Sequence, residues 1–191
     1  MVSRVLLASA SPRRAELMGL LGIAFEKAAP ADVDESYPEG MPPEDVPAYL
    51  ACKKAAAYTV APGEALITAD TVVVAGGKAL GKPKDEEDAA RMLGLLSGRT
   101  HKVVTGVCIK TAEGEEVLRE ETEVEFCKMS PEDTHYYISR HRPMDKAGAY
   151  GIQEWVGLAC ISAVRGSYYN VVGLPTHAVY RKLREMGAAP Q

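Results

Sequence analysis

Large aromatic side chains are scarce in this chain: Phe occurs twice and Trp once in 191 residues. No basic excess exists either, since 22 Lys and Arg face 26 Asp and Glu for a net charge of −4. That balance, with no patch that interleaves aromatic and basic residues, argues against a nucleic-acid partner or general affinity for an anionic membrane. Cysteine is sparse. Cys52, Cys108, Cys127 and Cys160 lie far apart and form no C-x-x-C pair. They read as reduced structural thiols of a cytoplasmic protein, with no zinc site expected. No apolar run approaches the roughly 20 residues of a membrane helix. The N-terminal stretch Met1–Ala8 is too short an apolar run for a signal peptide. Repeats and low-complexity segments are absent, and Pro and Gly are dispersed, so no linker divides residues 1–191.

What is present is a soluble globular composition, 47% hydrophobic and 25% charged. The stretch Ala65–Val74 (ALITADTVVV) is the best buried-strand candidate, bounded by Pro62-Gly63 and Gly76-Gly77. One charge interrupts it, Asp70. A strand seldom buries a carboxylate without a cation or hydrogen-bond donors. Asp70 therefore reads either as a structural partner for a lysine or as a metal ligand or general base at the lip of a sheet.

Around that strand the chain alternates between strand and helix patterns. Val5–Ala8 predicts a short buried strand, followed by Ser9-Ala10-Ser11-Pro12-Arg13-Arg14 and a helix to Leu21 with Gly22 as its stop. Ser11 suits an N-cap and Pro12 a first helical position. A strand feeding a helix start leaves free N–H groups where an anion can sit. Phe25–Lys27 predicts another strand, and Asp32–Ser36 an acidic loop able to lend a carboxylate to a divalent cation. Pro42-Pro43 opens a helix to about Tyr58, with Val46, Tyr49, Leu50 and Ala57 at core spacing and Lys53 and Lys54 expected to point to water. Lys82 sits beside a proline in a stiff segment. Asp85 caps a helix to Leu96, closed by Gly98.

Gly94–Thr100 resembles a phosphate-binding P-loop, but it is one residue short, has Arg for Lys, and ends a helix where a P-loop must open one. His101–Lys110 alternates, with Val103, Thr105, Val107 and Ile109 on one side. Glu113-Gly114 turns it into a second long strand reaching Lys128. Ser130 caps the next helix, and the four histidines offer no metal-ligand spacing. Leu158–Val164 predicts a last buried strand, Gly166–Pro175 a glycine-bounded loop, and Thr176 the cap of a final helix ending near Met186-Gly187. An acidic chain thus places Arg13, Arg14, Lys54, Lys82 and Lys146 at or near chain joints and offers Glu35, Asp70 and Asp145 as carboxylates. That set fits a polyphosphate with a divalent metal.

Six blocks, Ser9–Arg14, Ala69–Val73, Gly81–Pro83, Ser97–His101, Asp145–Gln153 and Gly166–Pro175, resemble in order the signature blocks of the Maf (septum-formation inhibitor) family. The resemblance implies a nucleoside triphosphate pyrophosphatase with an α/β fold: a mixed central sheet, flanking helices, and two lobes around a cleft. It also implies a Mg²⁺ or Mn²⁺ cofactor and a homodimer. By the same resemblance Asp70 is the proton acceptor, and Ser9, Glu35, Lys54 and Lys82 line the catalytic cleft. Arg13, Thr71 and Gln153 fall where substrate choice is tuned, and the block from Lys146 to Gln153 is similar to the dTTP/UTP branch. Arg14 joins the phosphate cradle, and Asp70 with Glu35 is expected to hold the metal. Two departures flank the base pocket: Arg142-Pro143 replaces the family's usual Glu-Pro, and Glu154 replaces a common Gly. The competing readings are a non-catalytic nucleotide or nucleic-acid binder that regulates division, and a nucleotidyltransferase needing a second acceptor.

Overall fold

The computed structural model describes residues 1–29 and 31–190. Its centre is a mixed seven-stranded sheet. Strand β3 (Glu64–Ala75) is the spine, since β-branched and small apolar residues alternate along all but its middle. On one edge it pairs along most of its length with antiparallel β5 (Thr100–Lys110), which pairs with β6 (Glu115–Phe126) as the expected long hairpin. On its other edge two short neighbours share β3. The first half pairs with parallel β1 (Arg4–Leu7), itself flanked by β2 (Glu26–Lys27). The end pairs with antiparallel β4 (Lys78–Leu80), through Val73–Ala75. Between those two pairings residues 68–72 have no strand partner on that edge among the described residues. This gap holds Asp70. Strand β7 (Ile161–Arg165) pairs with β6 and closes the far edge.

The pleat of β3 sends successive side chains to opposite faces. Thr68, Asp70, Val72 and Val74 face helix α2 (Val46–Ala56), where Val46, Leu50, Val72, Val74 and Val104 form one apolar cluster. Ile67, Ala69, Thr71 and Val73 face the larger core. That core is built with α1 (Pro12–Leu20), α3 (Glu86–Leu96), α4 (Pro131–His141) and the C-terminal helix, and includes Leu17, Met18, Leu93, Leu96, Tyr137 and Leu183. A short helix α5 (Trp155–Ala159) precedes β7, α6 (Tyr168–Val172) follows it, and α7 (Thr176–Glu185) ends the fold.

Several expectations are corrected. Helix α2 begins at Val46, because Pro43–Asp45 form a turn, and its buried face is Val46, Pro47, Leu50, Ala51 and Ala55. Tyr49 and Ala57 are exposed. Leu158 is not in a buried strand. It stands 86% exposed on α5, and β7 starts three residues later as a half-exposed edge. The Gly166–Pro175 loop contains α6, capped by the Ser167 hydroxyl accepting from the Asn170 N–H. The final helix has Pro175, not Thr176, at its N-cap. Among the described residues no helix is long and apolar enough to cross a membrane.

One glycine sets how close α2 comes to the sheet. Gly106 lies opposite Asp70 across the β3–β5 ladder. A Cβ there would sit 2.2 Å from the backbone nitrogen of Ala48. Only a residue without a side chain lets the start of α2 rest on the strand, and that seating places Lys54, later on the same helix, above Asp70.

Candidate active site

A cleft of about 580 Å³ opens at the gap in the β3 edge, a volume ordinary for a small-molecule site. Its floor is Ala69–Val73. One wall is Ser9–Arg14, at the junction of β1 and α1. The opposite wall is Asp145–Ala147 with Tyr150–Gln153, and Glu35, Lys54 and Lys82 border the mouth. Asp70 and Thr71 point to opposite faces of the strand, yet both line the cleft because no neighbouring strand covers the edge between them.

On the α2 side the Lys54 ammonium stands 2.6 Å from Asp70 Oδ1 and 2.9 Å from Glu35 Oε1. Lys54 is not a solvated helix lysine; its side chain is 20% exposed and Asp70's is 15%. Burial pushes the Glu35 carboxyl up, but its hydrogen bond to Lys54 and the charges of Lys54, Lys82 and Arg14 outweigh that, and it ends below its ordinary value. The neighbouring Lys53 instead ties Asp34 and Ser36, which fixes the acidic loop that carries Glu35. Lys82 is exposed at the mouth, and among the described residues it forms no salt bridge of 4 Å or less.

Arg14, expected in the phosphate cradle, borders the cleft and is also bonded to the protein around it. It donates to Gly173 O at 2.8 Å, Ala69 O at 2.9 Å and Thr71 Oγ1 at 3.1 Å, with a longer contact to Ser9 Oγ. Its guanidinium is buried, which lowers its pKa, and it fills the vacant edge of β3 by satisfying a carbonyl there. Arg13 reaches across the cleft to Asp145 Oδ2 at 2.9 Å. Ser9 Oγ accepts from the Ser11 N–H, and Ser11 makes no side-chain cap, so the first-turn N–H groups of α1 are left for another acceptor.

The other wall is held by a second charged chain. Lys146 lies 2.7 Å from Asp145 Oδ1 and 3.0 Å from Glu154 Oε1. Burial raises the Asp145 carboxyl, but Lys146 and Arg13 bring it below its ordinary value. Behind the wall, His101 Nε2 and Tyr150 Oη are 2.8 Å apart, and burial pulls His101 down to about 4. Each of Asp70, Glu35, Lys54, Lys82, Ser9, Arg13, Arg14, Thr71, Lys146 and Gln153 therefore borders this one cleft. The sequence reading did not single out Tyr137 or Thr105. Thr105 Oγ1 meets Thr71 Oγ1 at 2.9 Å. Only the alternation of β5 pointed to its face.

A matching family model, Maf-like protein, covers residues 4–186. The chain belongs to the Maf family. Two similar relatives are the "dTTP/UTP pyrophosphatase" of Porphyromonas gingivalis, 51% identical over 96% of this chain and 94% of that protein, and that of Phocaeicola vulgatus, 47% identical over 96% of each. The relative of the same description from Flavobacterium psychrophilum is 45% identical over 93% of this chain and 92% of its own length. Among solved structures, the Staphylococcus aureus Ham1 protein aligns with a TM-score of 0.53 at 13% identity, over 96% of this chain and all of that one. At that identity it supports the mixed α/β fold alone. Three of the six Maf blocks seen in the sequence build most of the cleft: Ala69–Val73 is its floor, with Ser9–Arg14 on one side and residues of Asp145–Gln153 on the other.

A separate thiol-rich group lies outside the cleft lining. Cys52 on α2, Cys108 on β5 and Glu115 on β6 bring their ligand atoms within 4.8 Å of one another. Spacing in the sequence gave no sign of it, because the cysteines meet only when α2 lies on the sheet. Burial pushes Cys108 up to about 12, so it stays a thiol at neutral pH. Two sulfur donors suit soft cations, whereas Asp70 and Glu35 offer the hard oxygens that suit Mg²⁺ or Mn²⁺.

Proposed function

We propose that this Maf protein, as one unit spanning residues 1–191, hydrolyses dTTP and UTP to the monophosphate and pyrophosphate. The observation that carries the reading is the convergence of Asp70 and Glu35 on Lys54 in a cleft that also gathers Arg13, Lys82 and Lys146. The printed descriptions of the relatives support the same activity and the pyrimidine choice. Asp70 and Glu35, both bonded to Lys54, bring two carboxylates to one part of the cleft, the number with which proteins hold Mg²⁺ beside substrate phosphates. A divalent cation held by Asp70 and Glu35 would lower the pKa of a bound water toward 7.

In this reading the triphosphate lies along the cations at the mouth, with its base toward Tyr150–Gln153. Asp70 orients the attacking water and takes its proton as oxygen approaches the α-phosphorus. The bond from that phosphorus to the bridging oxygen breaks, and pyrophosphate leaves. Lys54, Lys82 and Arg13 balance the charge that builds on the leaving group. Arg14 keeps the floor in place from behind, and the Gln153 amide offers a donor and an acceptor to a pyrimidine edge. The active species is proposed to be a cytoplasmic homodimer, which sedimentation at micromolar concentration checks.

The test is pyrophosphate release from a panel of ribo- and deoxyribonucleoside triphosphates with Mg²⁺ and no acceptor. dTTP and UTP are expected to turn over fastest. Asp70→Asn is expected to lose about 10²- to 10⁴-fold in kcat with its circular dichroism unchanged. Binding without release would favour a regulatory nucleotide binder, and release only with an added acceptor would favour a nucleotidyltransferase.

A further inference from the structure

Glu154 stands where the family resemblance leads one to expect glycine, and the structure gives its side chain two connections. Its carboxylate accepts a hydrogen bond from the Tyr137 hydroxyl and forms a 3.0 Å ion pair with Lys146. The same Tyr137 oxygen accepts from the Gly151 N–H at 2.9 Å. Tyr137 is fully buried on α4, and its ring stacks on His141. Glu154 and Tyr137 do not line the cleft, whereas Lys146, Gly151 and Gln153 do.

We propose that Glu154, braced by Tyr137, is the positioning residue for the base-side wall of the cleft, holding both Lys146 and the Gly151–Gln153 backbone in their binding geometry. The argument starts with Lys146, whose side chain is only 11% exposed. A long flexible ammonium held that deep adopts one direction only when carboxylates fix it. Asp145 is one of these, but it is shared with Arg13. Glu154 supplies the second and sets the direction. Gly151 eases the passage: a Cβ there would lie 3.0 Å from Lys146 Cε and 3.1 Å from Glu154 Cδ, so any side chain would press on both ends of the ion pair.

Tyr137 makes the brace rigid. Burial and the adjoining Glu154 carboxylate push its hydroxyl well above the usual range, so it remains a donor to Glu154 across the working pH. Through one oxygen it fixes the carboxylate and the Gly151 amide together. Gln153, two residues on, inherits that placement. Without Glu154 the lysine keeps Asp145, so the fold survives, but the wall loses the contact that defines its shape.

The inference rests on the proposed pyrophosphatase reading, and the experiment separates the two. Wild type, Glu154→Gln, Tyr137→Phe and the double variant are assayed for pyrophosphate release from UTP and CTP, with folding followed by circular dichroism. UTP affinity is also measured by calorimetry without divalent metal. Glu154→Gln is expected to raise KM and the metal-free Kd for UTP about tenfold, the scale of one lost charge-assisted contact. Its kcat stays within about twofold, and the UTP-to-CTP ratio of kcat/KM falls about threefold or more, as a specificity change of this size requires. Tyr137→Phe moves the same parameters, and the double variant is no worse than the stronger single one, because the two act as a unit. A merely structural loss lowers the active fraction and leaves KM, Kd and the base ratio of the folded enzyme untouched; that result overturns the inference. A wild type that binds UTP without releasing pyrophosphate sinks the activity, and the Kd comparison then decides the positioning role. Wild type that binds no UTP removes both.

Discussion

Lys54 carries two loads. Its ammonium bridges Asp70 and Glu35, offsetting part of their charge and drawing one oxygen of each toward a common point. Lys54→Met keeps the aliphatic stem and removes the charge. Its kcat is expected to fall about 10²- to 10³-fold, the usual cost of removing one preorganised donor. The pH profile moves in a defined direction. Lys54 is the main group that pulls Glu35 down against its burial, so without it the Glu35 pKa rises. The acidic limb of kcat/KM therefore shifts to higher pH, which stopped assays across the acid range will read. His101 makes a stability prediction. It is held to about 4 by burial, against 6.5 in an unfolded chain. The unfolded state binds the extra proton between those values, so the contribution of neutral His101 is complete above 6.5 and is lost as pH falls toward 4. It amounts to about 3 kcal/mol at most. His101→Gln lacks this dependence, and the difference in slope of urea-derived stability against pH between the two proteins checks it.

Among the elements, α2 and β3 depend on each other through Gly106. Gly106→Ala forces a methyl into the backbone of α2 at Ala48. The helix must lift, and Lys54 lifts with it. A stability loss of about 2–3 kcal/mol in urea unfolding is expected, as for an overpacked core, together with a fall in kcat beyond that of a remote core substitution. Strands β1 and β3 were legible as buried apolar runs, β5 from apolar alternation and β6 from the turn at Glu113-Gly114, and α3 and α4 from their caps at Asp85 and Ser130. Helix α5 was not, because Trp155–Ala159 is too short to show a period and Leu158 remains in solvent. Strand β4 is three residues long and exists through its pairing with Val73–Ala75. At the site, Asp70 announced itself as a charge in an apolar strand. Lys54 read as solvated from its helix position, and it was the family resemblance that placed it at the cleft, since its partners lie across the fold. Arg14 was legible as a cation at a helix start, but its use as a brace for Ala69 O depends on a gap in strand pairing that no local pattern encodes. Tyr137 carried no signal, because a buried tyrosine on a helix reads as core.

Across the whole molecule, the cleft draws on segments as distant as Ser9 and Gly173. An occupant therefore ties the first tenth of the chain to its last. A non-hydrolysable dTTP analogue with Mg²⁺ at about 100 times its Kd is expected to add about 2.7 kcal/mol of stability. That corresponds to a rise of about 5–10 °C in Tm for a chain of this size, readable by calorimetry. Excess chelator should abolish turnover and remove most of that shift while leaving the ligand-free Tm in place. Added Mg²⁺ or Mn²⁺ should restore both.

The opening between β1 and β4 has a further consequence. Asp70 and Lys54, at the centre of the proposed cut, hang from β3 and α2, whereas the segment proposed to judge the base follows α4 and lies over the breach. Cutting and judging thus rest on different segments, linked across the cleft by the Arg13–Asp145 ion pair and by the Gly148 N–H bonding Gly81 O. A descendant of this scaffold, natural or engineered, that exchanges the Ala147–Glu154 cassette and keeps Asp145 for Arg13 is expected to redirect which nucleotide is destroyed while the blade stays in place.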